Sequence, residues 1–229
     1  MHASDLILEG LAAKKLNPKG LQILDVCSGS GCISLLLHSL LARHFQNLTV
    51  AGLDVSPQAV GLGLKNRAHN IKRGSLDPRA ATEVAFRRFD VFDTGGLSPS
   101  TDIATWDILI SNPPYISPSD LTSGKTSRSV RKYEPMRALV PPMIQDSWQE
   151  DIGNIRREDI FYPRLLSLAR SLHVKLVVFE CGDHAQARRV VDMANVIFAE
   201  DRNLSVYVWS GYDDPSDGDG ARAVVIKRF

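Results

Sequence analysis

The sequence predicts an α/β fold: a Rossmann-like, seven-stranded sheet that is mostly parallel, ends in a C-terminal antiparallel hairpin and carries helices on both faces. Short apolar runs alternate with helical patterns along most of the chain, which is typical of a parallel sheet. The last two apolar runs have no helical pattern between them, so they predict the hairpin. With 229 residues, of which 44% are hydrophobic, the chain can bury the core that such a fold requires.

The first half of the chain contains three of the predicted strands. An apolar strand at 21–26 runs into a glycine-containing turn and then into a helical pattern at 32–44. A second strand follows at 48–53. A Ser-Pro pair, which suits the N-cap and the first helical position, begins the next helix at 57–70. The third strand lies at 83–89.

The second half of the chain repeats the alternation. The fourth strand is predicted at 106–110, a helix at 163–173, the fifth strand at 174–179 and an amphipathic helix at 185–196. An Asp/Gly-rich stretch then separates the two strands of the hairpin. These strands are 204–209 and 221–227.

Composition excludes several classes of function. The 27 basic residues nearly balance the 26 acidic ones, so no field over the whole chain attracts nucleic acid. The apolar runs are far too short to cross a bilayer, and the first twenty residues lack the apolar centre of a secretory signal. Three cysteines without metal-ligand spacing suit a reducing compartment, and we expect no metal site. The run at 213–220 lacks the closing glutamate of a calcium loop and predicts an acidic hairpin loop.

A turn of small residues follows the first strand. Small side chains let a ligand approach the backbone closely, and the start of the following helix favours negative groups. We therefore expect this turn to bind a cofactor. Its residues are Cys27, Ser28, Gly29, Ser30 and Gly31.

Acidic residues end the next two strands. Asp54, after the second strand, can accept hydrogen bonds from both hydroxyls of a ribose. After the third strand, Asp90 or its neighbouring backbone can meet an adenine amine, with Val91 beside the face of the base. The carboxyl ends of parallel strands form the edge at which open α/β sheets bind ligands. These positions predict a cofactor that contains a nucleoside.

The fourth strand ends in Asn112-Pro113-Pro114-Tyr115. Each proline fixes its own φ and holds the preceding residue extended, so the turn is rigid. The Asn112 side chain and the Pro113 carbonyl can grip a planar –NH2 group while the Tyr115 ring packs on its face. We therefore expect a site for an amide or an exocyclic amine, with Asn112, Pro113 and Tyr115 as catalytic residues.

This ordered set resembles the class I S-adenosylmethionine-dependent methyltransferases, and within them the HemK/PrmC family of protein-glutamine methyltransferases. Tyr133-Glu134-Pro135, followed by Ala138-Leu139, is similar to the family segment after Asn-Pro-Pro-Tyr. Residues 179–185 are similar to the family's Glu-x-Gly-x-x-Gln turn, with the glutamine one place later, at Gln186. The likeness covers roughly residues 20–229.

The resemblance implies an enzyme that methylates the glutamine side-chain amide of the Gly-Gly-Gln motif in class I peptide release factors, and thus acts in translation termination. The implied cofactor is S-adenosyl-L-methionine. Residues 27–31 would form its loop, Asp54 would hold the ribose, Val91 would contact the adenine and Asn112 would lie near the methionine part. Residues 112–115 would hold the substrate glutamine.

The resemblance also bears on the organisation of the chain. We interpret residues 1–229 as one catalytic domain without the family's N-terminal helical domain. Residues 117–160 are long for a connection, and we expect an irregular segment that forms a lid on the substrate side. The proline- and charge-rich stretch after Leu139 suggests a eukaryotic relative. We expect a monomer in the cytoplasm or the mitochondrial matrix. Five basic residues cluster in this lid: Lys125, Arg128, Arg131, Lys132 and Arg137.

Two other functions stay open. Asn-Pro-Pro-Tyr also serves nucleic-acid methyltransferases that act on the exocyclic amine of adenine or guanine, with the flipped base stacked on the tyrosine. The near-neutral charge argues against this function, since such enzymes usually need a basic track. The second alternative is a non-catalytic partner subunit that keeps the fold and binds another chain. The intact glycine loop, Asp54 and Asn112 argue against it.

Overall fold

The computed structural model describes residues 3–93, 105–124, 126–143, 155–209 and 223–228. Its strands form one seven-stranded sheet in the order β3-β2-β1-β4-β5-β7-β6. The strands are β1 Leu21–Val26, β2 Leu48–Asp54, β3 Val84–Arg88, β4 Ile108–Ser111, β5 Leu176–Glu180, β6 Ser205–Trp209 and β7 Ala223–Lys227.

Helices lie between most of the consecutive strands along the chain. Within the described residues they are α1 Ala3–Ala12, α2 Cys32–Leu41, α3 Pro57–Lys72, α4 Ala80–Glu83, α5 Pro118–Thr122, α6 Arg128–Tyr133, α7 Met136–Leu139, α8 Phe161–Ser171 and α9 His184–Ile197, with a 3-10 turn at Arg157–Asp159. None of these helices is long and apolar enough to span a membrane.

The predicted sheet is confirmed. Strands β1 to β5 are mutually parallel, whereas β7 runs antiparallel to both β5 and β6. The predicted N-cap of α3 is also present, because the Ser56 hydroxyl accepts a hydrogen bond from the Ala59 backbone N–H at 3.3 Å. Predicted boundaries differ by a few residues. The fifth strand begins at Leu176 and not at 174, since the Val174 N–H still bonds to the Ala169 carbonyl of α8.

The core consists of two apolar layers, one on each face of the sheet. Alternate residues of β1 supply both, with Leu24 and Val26 in one layer and Leu21 and Ile23 in the other. Helices α8 and α9 cover the first layer, and the buried faces of α1 and α2 cover the second. The sheet is therefore buried on both faces, as its apolar strands require.

Two parts of the chain differ from expectation. Helix α1 lies where no element was predicted, and it buries Ala3, Leu6 and Ile7. Residues 117–160 were expected to be irregular, yet their described part contains α5, α6, α7 and the 3-10 turn. Serine side chains begin two of these helices, because Ser117 accepts the Asp120 N–H and Ser127 accepts the Val130 N–H. Whether the segment acts as a lid stays a prediction.

Candidate active site

The carboxyl ends of the parallel strands meet at one edge of the sheet. Val26 of β1 is in register with Leu53 of β2 and with Ser111 of β4. Ser111 is in turn in register with Phe179 of β5. The residues that follow these strands are therefore neighbours, and the glycine loop, Asp54, Asn112 and Glu180 lie side by side along this edge.

The loop after β1 adopts a conformation that suits its glycines. Gly29 and Gly31 have φ values of 54° and 80°, in the left-handed region. Cys27 shares this region at φ 62°, which is unusual for a residue with a Cβ. The Ser28 N–H bonds to the Leu53 carbonyl at 3.0 Å, which joins the loop to the end of β2.

Asp54 holds the loop through backbone hydrogen bonds. Its Oδ2 accepts the Gly29 N–H and its Oδ1 accepts the Ser56 N–H, both at 2.9 Å. The carboxylate therefore connects the loop to the start of α3. A carboxylate offers about four lone-pair sites, so acceptor capacity remains for the hydroxyls of a ligand.

The ring of Phe86 on β3 lies against three glycines from different elements. A Cβ at Gly63 of α3 would come within 2.8 Å of the ring, and one at Gly52 of β2 within 2.5 Å. A Cβ at Gly31 of the loop would also collide with the ring. The Asn66 side chain adds a second link, since it donates to the Ser30 carbonyl at 2.9 Å. The loop therefore packs on α3 and β3 at a distance that only glycine allows.

Asp25 is a buried acidic residue beside the loop that was not predicted from the sequence. It is fully buried in β1, two residues before the loop, and its Oδ2 accepts the Ser34 hydroxyl at 2.6 Å. Its Oδ1 has no hydrogen-bond partner among the described residues. Burial raises the pKa of this carboxyl from an ordinary 3.8 to about 7, and the Ser34 hydrogen bond partly opposes the shift. A carboxylate within an apolar strand was the signal in the sequence.

Burial disfavours the thiolate forms of Cys27 and Cys181. Burial, and then the charge of Asp54, raises the pKa of Cys27 far above its usual range. Burial raises the pKa of Cys181 to about 12. Both side chains therefore remain protonated, and Cys27 offers the site its backbone and not a thiolate.

Asp90 and Val91 follow β3 on the same edge. The Asp90 carboxylate accepts the Phe92 N–H at 3.0 Å, so it caps a tight turn, while the residue itself is exposed. Val91 is buried in the core layer that also contains Leu53 and Trp106. The assignment of these two residues to an adenine stays a prediction.

Asn112, Pro113, Pro114 and Tyr115 form one wall of the candidate pocket. The Ser111 hydroxyl donates to the Val26 carbonyl at 2.7 Å, which anchors the end of β4 against the end of β1. Asn112 is exposed, whereas both prolines are buried. The Tyr115 hydroxyl donates to Glu180 Oε1 at 3.2 Å. The turn is thus rigid at its base and presents the asparagine amide to solvent.

The segment that follows Tyr115 begins and ends beside the Asn-Pro-Pro-Tyr turn. The Ile116 N–H bonds to the Leu139 carbonyl at 2.9 Å, so the part of the chain between them begins and ends at the same place. Arg157 Nε donates to the Pro141 carbonyl at 2.9 Å, which joins the 3-10 turn to the chain just after α7. Tyr133 is exposed within the segment between Ile116 and Leu139. Arg128, Arg131, Lys132 and Arg137 of the basic cluster are exposed, while Lys125 lies outside the described residues.

Three other features do not add a second candidate site. A cavity of about 530 Å³ lies at the opposite, amino-terminal edge of the sheet, lined by Leu11, Lys14, Lys15, Leu16, Asn17, Pro18 and Lys175. Within the described residues, no group of His, Cys, Asp or Glu side chains could hold a metal ion. The acidic loop at 213–220 lies outside the described residues.

Comparison with known proteins identifies relatives of this chain. The probable MRF1 mitochondrial N(5)-glutamine methyltransferase mtq1 of Schizosaccharomyces pombe is 34% identical over 181 residues, which are 75% of this chain and 51% of that protein. A release factor glutamine methyltransferase of Bacteroides thetaiotaomicron is 31% identical over 158 residues, 69% of this chain and 45% of that protein. A ribosomal protein uL3 glutamine methyltransferase of Bradyrhizobium diazoefficiens is 37% identical over 95 residues, 42% of this chain and 24% of that protein.

Solved structures share the fold. The hMettl16 catalytic domain, in complex with the MAT2A 3′UTR hairpin 1, has a TM-score of 0.56 at 13% identity, over 91% of this chain and 64% of that chain. The chain therefore shares the fold of that catalytic domain. No family model matches the sequence. The chain spans about half the length of the first two relatives. Over the residues that it shares with them, the chain is similar to proteins named as glutamine methyltransferases, which confirms the resemblance of its motifs to the HemK/PrmC family.

Proposed function

We propose that the chain is an S-adenosylmethionine-dependent methyltransferase that methylates the side-chain amide nitrogen of the glutamine in the Gly-Gly-Gln motif of a class I peptide release factor. One observation carries the proposal. The exposed Asn112, set in its rigid Pro-Pro turn, lies on the same edge of the sheet as the loop that Asp54 holds. An acceptor site for a planar nitrogen thus adjoins a site for a nucleoside-containing cofactor. The Bacteroides thetaiotaomicron relative, which is named as a release factor glutamine methyltransferase, supports the choice of substrate.

The residues of the loop fit S-adenosyl-L-methionine. A Cβ on Gly29 would meet no atom of the described residues within 4 Å, so the space beside this glycine is open to a ligand. The Ser28 hydroxyl is buried and has no hydrogen-bond partner in the described part of the chain. Residues 27–31 would hold the cofactor with Asp54, Asp90 and Val91. When bound, the cofactor supplies a methyl group on a sulfonium, which is already highly activated.

The acceptor pocket has to align a poor nucleophile. The lone pair of an amide nitrogen is delocalised into its carbonyl, so orientation supplies much of the acceleration. The Asn112 side-chain oxygen and the Pro113 carbonyl would accept hydrogen bonds from the –NH2 group. These bonds stabilise the positive charge that develops on the nitrogen. The Tyr115 ring would restrict rotation of the amide, and the proton leaves the nitrogen after transfer, so no strong general base is needed.

A second candidate function is methylation of an exocyclic amine in a nucleic acid. The observation that favours it is the row of exposed cations Arg128, Arg131, Lys132 and Arg137, which follows Asn-Pro-Pro-Tyr in the chain. Acidic protein surfaces attract such cations equally. The release factor is therefore the preferred candidate substrate, because the relatives of this chain are named as glutamine methyltransferases.

We also propose that the protein acts as a monomer in the mitochondrial matrix or the cytoplasm. The mitochondrial relative of Schizosaccharomyces pombe supports the first compartment. Residues 117–160 are proposed as a lid on the substrate side of a single catalytic domain. The hydrogen bond from the Ile116 N–H to the Leu139 carbonyl supports this role for residues 117–138, since it closes the base of that part of the segment.

Two measurements test the proposed function. Calorimetry with S-adenosylmethionine separates an enzyme from a non-catalytic partner subunit, and we expect saturable binding at one site. Methyl transfer is then measured with a Gly-Gly-Gln release factor, with the same protein carrying Ala for the motif glutamine, with ribosomal protein uL3 and with an RNA. We expect transfer only to the unaltered release factor. Transfer to the RNA or to uL3 alone would replace the proposed substrate.

A further inference from the structure

Three residues hold Tyr115: one at the end of β5, one in the turn that follows and one at the start of α9. Its hydroxyl donates to Glu180 at the end of β5. Its ring lies so close to Gly182 that a Cβ on this glycine would come within 3.0 Å of the tyrosine Cδ2. Its backbone carbonyl accepts the Nε2 of Gln186 at 3.4 Å. The wall of the acceptor pocket is thus fixed by a turn some 65 residues further along the chain.

The Gln186 side chain is the centre of these contacts. It is only 3% exposed, and its Oε1 accepts the Gly182 N–H at 2.7 Å. Its Nε2 donates to the Glu158 carbonyl at 3.0 Å and to Asp159 Oδ1 at 2.9 Å, in addition to Tyr115. A side-chain amide accepts at one end and donates at the other, so no carboxylate or apolar residue of the same size can replace it here.

The contact with Asp159 connects the pocket to the return of the chain from residues 117–160. Asp159 is 1% exposed, and Arg189 grips it with two hydrogen bonds, from Nε at 2.6 Å and from the terminal nitrogen at 2.9 Å. Gln186 and Arg189 are one turn apart on α9, so one helix holds the returning chain with both residues. The buried charge of Asp159 is paired, as it must be at this depth.

We propose that Gln186 is a positioning residue for methyl transfer, which sets Tyr115 against the acceptor amide and ties that position to the docking of Glu158 and Asp159. This inference rests on the proposed function and deepens it. Within the described part of the chain, the hydrogen bonds of the Gln186 side chain reach neither the cofactor loop nor Asp54, so it acts on the acceptor side alone. Loss of its amide lets the tyrosine wall shift, and small displacements of a reacting group are costly in rate.

The test compares Gln186→Leu with Arg188→Ala, a control at an exposed position two residues further along α9. In Gln186→Leu we expect kcat with the Gly-Gly-Gln release factor to fall by about 10- to 100-fold, while the Kd for S-adenosylmethionine stays within about twofold. Arg188→Ala should leave both unchanged. An unchanged kcat in Gln186→Leu overturns the proposal.

A double-mutant cycle separates positioning from general stability. If Gln186 acts through Tyr115, Gln186→Leu has little further effect on kcat in a protein that already carries Tyr115→Ala. If kcat of the double variant falls by the product of the two single effects, the proposal is overturned. Gly182→Ala provides a steric version of the same test, since its Cβ presses on the Tyr115 ring, and it should lower kcat without weakening cofactor binding.

Amide hydrogen exchange gives a readout that needs no substrate. In Gln186→Leu we expect the backbone N–H groups of Tyr115, Ile116 and Gly182 to exchange at least about 10-fold faster, with those of residues 29–31 unchanged. Unaltered exchange at these three amides overturns the proposal even if the wild-type protein methylates another acceptor. A wild-type protein that binds the cofactor but does not methylate the release factor contradicts the proposed function, and the exchange result still decides the role of Gln186.

Discussion

Asp54 Oδ2 accepts the backbone N–H of Gly29 at 2.9 Å, so the carboxylate that ends one strand holds the loop that follows the neighbouring strand. The other carboxylate oxygen holds the Ser56 N–H at the start of α3. One side chain therefore shapes the loop before any ligand arrives, and it still has lone pairs for a ribose. The proposed function therefore gives Asp54 a role in binding as well as in holding the loop.

Replacement of Asp54 should weaken both properties together. In Asp54→Ala we expect the free energy of unfolding to fall by about 2 kcal/mol, since hydrogen bonds to charged groups contribute about 1.5–3 kcal/mol each. Affinity for S-adenosylmethionine should fall by at least about 10-fold. Denaturant unfolding and calorimetry measure the two effects. The exposed Asp192→Ala, which removes the same charge from α9, is the control and should change neither quantity.

Replacement of Asn112 should separate binding from turnover. In Asn112→Ala the side-chain oxygen that orients the acceptor –NH2 group is lost, so we expect the rate of methyl transfer to fall by at least about 100-fold. Binding of S-adenosylmethionine should remain measurable by calorimetry, because residues 27–31 and Asp54 are intact. The exposed Asn203→Ala serves as the matched control. Near-normal turnover in Asn112→Ala would show that this residue does not orient the acceptor.

Alanine substitutions at two glycines of α3 should change the free energy of unfolding in opposite directions. In Gly63→Ala the new Cβ meets the Phe86 ring, and overpacking should lower the free energy of unfolding by about 1–3 kcal/mol. Gly61 has open space around its Cβ position, so Gly61→Ala should raise the free energy of unfolding by about 0.5–1 kcal/mol through helix propensity. Denaturant unfolding of the two variants measures both. Equal effects would contradict the close packing of the ring on α3.

The buried Asp25 should make stability depend on pH. Its pKa is about 7 in the folded chain against an ordinary 3.8, so between these values the folded state binds more protons than the unfolded state. Stability is therefore lost as pH rises through this range, by about 1.4 kcal/mol per unit of pKa shift at most. Asp25→Asn removes the titration. Without cofactor, we expect the variant to match the wild type near pH 4 and to be more stable than it at pH 8.

Most of the sheet was readable from the sequence because its strands are short apolar runs with clear boundaries. β1 was predicted at 21–26 and is observed at Leu21–Val26. Ser56 and Pro57 marked the start of α3 correctly. The same Ser-Pro signal stands at Ser117 and Pro118 and begins α5, yet the length of residues 117–160 led to the expectation of an irregular segment. Here local capping was the better guide.

The remaining features depend on contacts between distant parts of the chain. Phe86 meets Gly31 across 55 positions in sequence, and Gln186 meets Tyr115 across 71. The hydrophobic periodicity of a sequence does not indicate contacts between residues so far apart in it. Asp25 could have been found, since a carboxylate surrounded by apolar residues in a central strand needs a partner or a raised pKa. The apolar residues of α1 recur at a helical spacing, at Leu6, Ile7 and Gly10, but this stretch was considered only as a targeting segment.

The hydrogen bond from the Ile116 N–H to the Leu139 carbonyl makes residues 117–138 a closed excursion. Its two ends are fixed beside Tyr115, whatever lies between them. Insertions and deletions inside the excursion can therefore change its exposed surface without displacing Tyr115. Under the proposed function, the surface that recognises a partner and the turn that holds the nitrogen are then able to vary independently in evolution, because a single backbone hydrogen bond separates them.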